Sequence, residues 1–230
     1  KMNIEKGIMQ LVDLERGELL YNSMDNRRHA PGGSVANTIA GIGELGLKTG
    51  FIGKVGNDDL GNFYRSTMEE KGTDFLNEII DESDLPTSRS MIFVSDDGER
   101  SMNTYLGISA ELGPDDVNKE VASNAEIVFL EGYLFDKDKG KEAFIKVAKE
   151  CRMAGGLSGI AISDPFCVER HRSDFLSLIK NELDFVIGNK EEIMALFETD
   201  NFENALLKAA NISPLVVCTR SSEGVTAIQD

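Results

Sequence analysis

Two clusters combine residue types and spacing that suit chemistry. The first is Asn189-Lys-Glu-Glu192, directly after the apolar run Asp184-Phe-Val-Ile187. Asn189 and Glu192 are three apart, so in a helix they share a face of its first turn. An amide and a carboxylate there suit the ordering of Mg²⁺ waters and phosphate oxygens, since Mg²⁺ keeps several waters. A cap followed by an acidic first turn is the plainer use of the same letters. The second cluster is Pro31-Gly32-Gly33-Ser34-Val35-Ala36-Asn37. A double glycine opening onto a helix leaves amides free to donate to ligand oxygens. The Asn37 carboxamide both donates and accepts, which suits sugar hydroxyls. The plainer reading is a Gly-rich entry turn with Ser34 as N-cap. In Val55-Gly-Asn-Asp58-Asp59-Leu-Gly61, Asp58 or Asp59 reads as an N-cap in preference to a metal ligand.

These clusters need elements to hold them. Short apolar, β-branched runs at Gly50–Val55, Glu126–Leu130, Gly159–Ser163, Asp184–Ile187 and Pro214–Thr219 predict strands buried on both faces. Between them, helical spacing is found over 34–45, 60–71, 139–153, 173–182, 190–197 and 202–210. This alternation predicts an α/β fold with a mostly parallel sheet between helices. Residues Thr87–Thr104 break the rhythm: two strand-like pieces flank Asp96-Asp97-Gly98, an antiparallel hairpin that reads as a lid or as decoration. The expected organisation is a single domain over 1–230 with lid elements near 25–31 and 87–105. The N-terminus enters without an obvious first strand, and Gly224–Asp230 stops inside what reads as the second strand of a hairpin.

Composition removes several classes. The 230 residues, 41% hydrophobic with 22 glycines, suffice for one large α/β domain or two small ones. Lys plus Arg is 24 against 40 for Asp plus Glu, a net charge of −16 that repels polyphosphate backbones and argues against nucleic-acid binding. No apolar run reaches the roughly 18 residues of a membrane span. The opening Lys-Met-Asn-Ile-Glu carries no secretory leader, and the 3 cysteines (Cys151, Cys167, Cys218) suggest neither a disulfide framework nor a zinc site, so a cytoplasmic location is expected.

Gly41-Ile-Gly-Glu-Leu-Gly46 matches G-x-G-x-x-G letter for letter. The dinucleotide fingerprint needs a preceding strand, whereas Val35–Ala40 is helical in pattern. The glycines are expected at a helix end, with Gly43 packing closely and Gly46 as a left-handed cap. A nicotinamide oxidoreductase would have to rest on this run alone. No P-loop, G-x-S-x-G elbow or H-E-x-x-H is present, and neither His29 nor His171 lies in a catalytic pattern.

Taken in order, several segments resemble the ribokinase (PfkB-type) family of carbohydrate and nucleoside kinases, nearest its adenosine-kinase-like sugar kinase branch. They are Pro31–Asn37, Val55–Gly61, Gly98-Glu-Arg100 through Gly107, Phe129-Leu-Glu131-Gly-Tyr133, Ser163-Asp164-Pro-Phe-Cys-Val168, Asn189-x-x-Glu192 and Thr219-Arg-Ser-Ser-Glu-Gly224. The last is similar to the family's T-x-G-x-x-G nucleotide loop. The resemblance implies a three-layer α/β/α sandwich with a small antiparallel β lid. It implies ATP and Mg²⁺, and phosphorylation of a primary hydroxyl on a small-molecule sugar or nucleoside. By that resemblance Gly32, Gly33 and Asn37 hold acceptor hydroxyls with Glu131 beside them. Arg100 approaches the acceptor or the moving phosphoryl group from the lid. Asn189, Thr219, Ser221 and Gly224 line the ATP site, with Glu192 toward the metal.

The chain departs from the pattern in places. Ser221 stands where the nucleotide loop has its middle glycine. The family's first strand with its sugar-binding Asp, and the G-A-G-D motif with the anion hole and general base, are not among these residues. General acid–base help is worth roughly 10²–10⁴-fold, so residues 1–230 are not expected to form a complete catalyst, and the base is expected beyond Asp230. The alternative is a non-catalytic sugar- or nucleoside-binding protein on the same scaffold. Adenosine, ribose, fructose and 2-keto-3-deoxygluconate all remain open as acceptors, and both monomer and homodimer remain open.

Overall fold

The computed structural model describes residues 4–229; Lys1–Asn3 and Asp230, on which the readings of the chain's two ends partly rest, lie outside the described residues. The contacts divide the chain into two compact units. One runs up to Gly32 and includes Ile39–Leu112; the other comprises Gly33–Thr38 and the chain from Gly113 onward.

The first unit contains β1 (Met9–Leu11), α1 (Leu14–Asn22), most of α2 (Ser34–Glu44), β2 (Thr49–Phe51), α3 (Asp59–Glu70), β3 (Thr73–Phe75), β4 (Arg89–Val94) and β5 (Arg100–Tyr105). The expected hairpin is β4–β5, antiparallel from Arg89↔Tyr105 to Val94↔Arg100, with Gly98 at φ +84° in its turn. It is not a bare hairpin. The three-residue β1 adds alongside β5 in parallel, while 25–31 forms no strand. Helix α1 packs on this sheet where Gly17 leaves room for Tyr105 and Met91.

The predicted strand Gly50–Val55 stops at Phe51. The Asn77 side chain takes the Gly53 amide at 3.1 Å, and only an isolated bridge at Gly56↔Ile80 resumes pairing. The G-x-G-x-x-G run lies at the end of α2, as its helical lead-in required. A Cβ at Gly43 would come within 2.7 Å of the Lys71 carbonyl oxygen, and Gly46 adopts φ +87°. Asp58 is the N-cap of α3, accepting from the Gly61 amide at 2.8 Å and, through its other oxygen, from the Thr87 amide at 2.8 Å. Burial pushes the Asp58 carboxyl up, but hydrogen bonds from Thr87, Gly61 and Leu60 outweigh it and hold it below its ordinary value. One carboxylate thus ties the start of α3 to the residue that leads into β4.

The second unit contains α4 (Lys119–Asn124), β6 (Ile127–Glu131), α5 (Asp138–Met153), β7 (Leu157–Ala161), α6 (Pro165–Asn181), β8 (Phe185–Asn189), α7 (Lys190–Leu196), α8 (Phe202–Ala210), β9 (Leu215–Thr219) and β10 (Val225–Gln229). Its sheet has the order β10-β9-β8-β7-β6, with β6 to β9 parallel and β10 antiparallel to β9. Parallel neighbours need crossover connections, supplied by α5, α6 and the α7–α8 pair, and α5, α7 and α8 pack on the sheet. Ile160, Val186 and Val216 form one row across the sheet and are fully buried, as are Phe144, Phe175 and Ile193 from the helices. Each such side chain contributes about 1.5–3 kcal/mol on leaving water. Helix α6 begins at Pro165, well before the predicted 173. Asp164 caps it and Pro165 fits its first position, while a non-helical His171 (φ −120°, ψ 18°) interrupts the spacing that betrays helices in sequence.

Candidate functional site

Side chains alternate between sheet faces along a strand. The register puts Glu131, Ala161, Ile187 and Val217 in one row, with Asn189 paired to Thr219 two residues further on. Glu131, Asn189 and Thr219, from β6, β8 and β9, therefore share one face at the carboxyl ends of the parallel strands. In open α/β sheets this is the rim where ligands gather.

The glycine-rich segment joins them. Glu131 Oε1 accepts from the Ser34 amide at 2.9 Å and from the Ser34 hydroxyl at 2.6 Å. A helix's first amides have no partner within the helix, and here a carboxylate from β6 takes the first of them at the start of α2. Ser34 is thus not the N-cap that the sequence allowed. Gly33 precedes the helix at φ +110°, a conformation that favours glycine, and its carbonyl accepts from the Asn37 amide at 2.9 Å. Asn37 is exposed. Gly32, in the other unit, gives its carbonyl to the Tyr64 hydroxyl at 3.1 Å. Arg100 is exposed at the start of β5, also in the other unit.

Ser163 and Asp164 follow the end of β7. Ser163 sits at φ +76°, unusual for a residue with a side chain. Its hydroxyl accepts from the Tyr133 amide at 3.1 Å, and the glycine between β6 and Tyr133 lets the turn pass: a Cβ at Gly132 would come within 2.9 Å of that hydroxyl. Asp164 accepts from the Cys167 amide at 2.9 Å and from the Tyr133 hydroxyl. Burial and this bond raise the Tyr133 phenol far above its ordinary value, and burial pushes the Cys167 thiol up to about 12. The Asp-Pro pair after a strand was the legible signal for Asp164; nothing in the sequence flags the strained Ser163.

Asn189 and Glu192 form a reciprocal capping box. Asn189 Oδ1 accepts from the Glu192 amide at 2.8 Å, and Glu192 Oε2 accepts from the Asn189 amide at 2.9 Å. Glu192 Oε1 takes the Asn189 side-chain amide at 2.6 Å. The carboxylate is only 7% exposed. Burial pushes it up to about 7, with the charges of Asp164 and Glu191 adding to the rise and the Asn189 amide opposing it.

Both Glu192 oxygens are engaged by Asn189, and no group of three or more His, Cys, Asp or Glu set to hold a metal ion exists among the described residues. With both oxygens accepting from Asn189, Glu192 offers no bare oxygen for direct ligation, whereas contact through the waters of Mg²⁺ is compatible with this geometry. The turn after β9 does fit an anionic ligand. Thr219 and Ser221–Gly224 are exposed, the space beside Gly224 is open, and Arg220 Nε is buried without a hydrogen-bond partner. Ser221, which replaces the glycine of the family pattern, adopts φ +52°, the conformation that explains why glycine is usual there.

This α/β unit collects polar residues from successive parallel strands at one carboxyl rim, where ligands gather in open α/β sheets. The chain is a member of the pfkB family of carbohydrate kinases, whose profile matches residues 8–230. The crystal structure of adenosine kinase from Sinorhizobium meliloti is 41% identical, with a TM-score of 0.93 over 98% of this chain and 69% of that one. A probable sugar kinase from Rhizobium etli CFN 42 is 40% identical, also with a TM-score of 0.93, over 99% of this chain and 69% of that one. The 5-dehydro-2-deoxygluconokinase of Halalkalibacterium halodurans is 28% identical over 84% of this chain, which spans 61% of that protein's length. The matched part of the Bacillus subtilis 5-dehydro-2-deoxygluconokinase is 51% of its length, at 29% identity and covering 70% of this chain. Among the described residues no helix is long and apolar enough to cross a membrane.

Proposed function

We propose that the protein is a kinase that moves the terminal phosphoryl group of ATP to a primary hydroxyl of a sugar or nucleoside. One observation carries the reading. Segments 33–37, 131, 163–164, 189–192 and 219–224 all lie in one unit, and four of them sit at the carboxyl ends of adjacent parallel strands. The fifth is bonded to the first strand end through Glu131 and Ser34. Membership of a carbohydrate kinase family and the likeness to an adenosine kinase support the reading.

In this reading Asn37 and the free oxygen of Glu131 hold acceptor hydroxyls, since a carboxylate accepts what a hydroxyl donates. Thr219, Arg220 and the backbone around Gly224 hold the donor phosphates, with Ser221 shaping the turn. Asn189 and Glu192 act by fixing the start of α7 between these two ends. Phosphoryl transfer depends mainly on positioning and on offsetting charge, and a rigid rim supplies the positioning. Mg²⁺ belongs to the proposal as the usual companion of the triphosphate, supplying charge neutralisation when bound; Glu192 is not assigned as its ligand. Arg100 remains a proposed lid contact.

The test is acceptor-dependent ADP release by the full-length protein with ATP and Mg²⁺, against a panel of nucleosides and sugars. Release above background with at least one acceptor is expected. Binding of an acceptor without any release would identify a sugar- or nucleoside-binding protein on this scaffold and overturn the kinase reading.

A further inference from the structure

We infer that Ser163 is a positioning residue: its hydroxyl latches the end of β6 to the end of β7, so that Glu131, already bonded to Ser34, aims its other carboxylate oxygen at the acceptor. The inference rests on the kinase reading above. Ser163 follows β7 at φ +76°, a left-handed conformation that asparagine or glycine adopts more readily than serine. Strain of this kind persists only where the surroundings hold it, and it gathers at ligand sites. Here the hydroxyl is part of what holds it. It accepts from the Tyr133 amide at 3.1 Å and donates to the Ala161 carbonyl at 3.4 Å. The next residue, Asp164, takes the Tyr133 hydroxyl. Consecutive residues after β7 thus hold Tyr133 by its backbone and by its ring tip.

Gly132 leaves no slack in this contact. A Cβ there would lie 2.9 Å from the Ser163 hydroxyl, 3.0 Å from the Ala161 carbonyl oxygen and 3.1 Å from the Phe175 ring. Glu131, one residue earlier, pairs with Ala161 across the strands and gives Oε1 to the Ser34 amide and hydroxyl. Ser163, Tyr133, Glu131 and Ser34 therefore lie on one connected path from β7 to the start of α2, all within the second unit. The Ser163 hydroxyl is engaged by backbone groups, so it acts through Glu131 and not on a ligand. Direction matters for that carboxylate, because hydrogen bonds weaken steeply off axis. A shift of about 1 Å at a site that positions a substrate is worth on the order of 10²-fold.

The experiment compares Ser163→Ala, Ser163→Gly and Ser163→Asn in the full-length protein. Alanine keeps the backbone strain and loses the latch, and glycine loses both. Asparagine tolerates the left-handed backbone, and its side-chain oxygen can accept from the Tyr133 amide. Kinetics with ATP, Mg²⁺ and the best acceptor of the nucleoside and sugar panel give a KM for each substrate, and calorimetry without ATP gives the acceptor Kd. The acceptor KM and Kd are expected to rise about tenfold in Ser163→Ala and Ser163→Gly, the upper worth of one hydrogen bond, and to recover most of that loss in Ser163→Asn. The KM for ATP should not change. Exchange of the Tyr133 amide and of residues 34–37 should quicken in the alanine and glycine variants alone.

Equal losses for both substrates, or acceptor values unmoved by alanine and glycine, overturn the latch. Should Ser163→Ala not fold, the unstrained Ser163→Gly carries the comparison. An acceptor that is bound and never phosphorylated removes the kinase reading, and the Kd series then decides the latch by itself: weakening with rescue by asparagine upholds it, and constant Kd overturns it. Binding of no acceptor overturns both.

Discussion

Glu192 makes folding of the second unit depend on pH in a direction opposite to that of an ordinary paired carboxylate. Its carboxyl is 7% exposed and, chiefly through burial, titrates near 7 in the fold against 4.5 in the open chain. Below about 4.5 both states hold the proton and nothing is lost. Between 4.5 and 7 the unfolded chain releases its proton while the folded one retains it, so stability falls as pH rises and levels off above 7. At 1.36 kcal/mol for each tenfold change, the span from 4.5 to about 7 comes to roughly 3 kcal/mol. Glu192→Gln can still fill the capping box, but it has no proton to lose. Urea unfolding of both proteins from about pH 4.5 to 8.5, followed by far-ultraviolet circular dichroism, should show their difference moving by that amount. With m-values of about 1–3 kcal/mol per molar, the relative midpoint shifts by on the order of 1–3 M. Hydrogen exchange in β8 and α7 reads the same change locally. If the two proteins kept parallel stabilities across this window, to within about 0.5 kcal/mol, the burial of a protonatable Glu192 would be the wrong account.

Other substitutions test separate joints. Ser221→Gly relieves a left-handed residue at φ +52° and should stabilise by about 0.5–1 kcal/mol after the entropy glycine adds to the unfolded chain; a thermal melt that falls instead would show that the Ser221 side chain holds the turn. Gly61→Ala places a Cβ 2.0 Å from the Gly56 carbonyl oxygen and should cost at least about 2 kcal/mol, seen as faster amide exchange in α3; unchanged exchange would mean that the approach relaxes freely. Glu131→Ala removes the acceptor of both bonds that Ser34 donates and should cost about 1–2 kcal/mol. Exchange should quicken at residues 34–37, and unchanged rates there would separate Glu131 from the ordering of α2.

What the sequence disclosed follows from how strongly each signal is tied to local physics. Runs such as Phe185–Ile187 and Leu215–Val217 are legible as strands because they are short, apolar and β-branched, but only one face is fully buried: Val186 and Val216 are inaccessible while their neighbours are half-buried. Helix α5 is legible because Ala143, Phe144, Val147, Ala148 and Cys151 bury one stripe. Helix α1 and strand β1 were missed. The strand is three residues long, and its pairing with β5 lies some ninety residues away in sequence, beyond any local pattern. The first half of α6 was missed because His171 breaks its helical geometry midway. At the site, Asn189 and Glu192 could be read from spacing, but the Glu131–Ser34 bond could not, since it joins residues 97 apart.

The rim also shows why capping and chemistry were poorly separable from letters alone. A helix start following the carboxyl end of a strand must satisfy its free amides, and the same amides and their partners face whatever ligand arrives there. Asn189 and Glu192 satisfy each other, and Asp164 caps α6 while holding the Tyr133 hydroxyl. Glu131 serves α2 with one oxygen and leaves the other available. The plain reading and the functional one therefore describe the same atoms at different moments. It follows that replacing Glu192 or Asp164 should act on folding first, whereas Glu131→Gln, which preserves the Ser34 contacts, isolates the charge that a ligand meets.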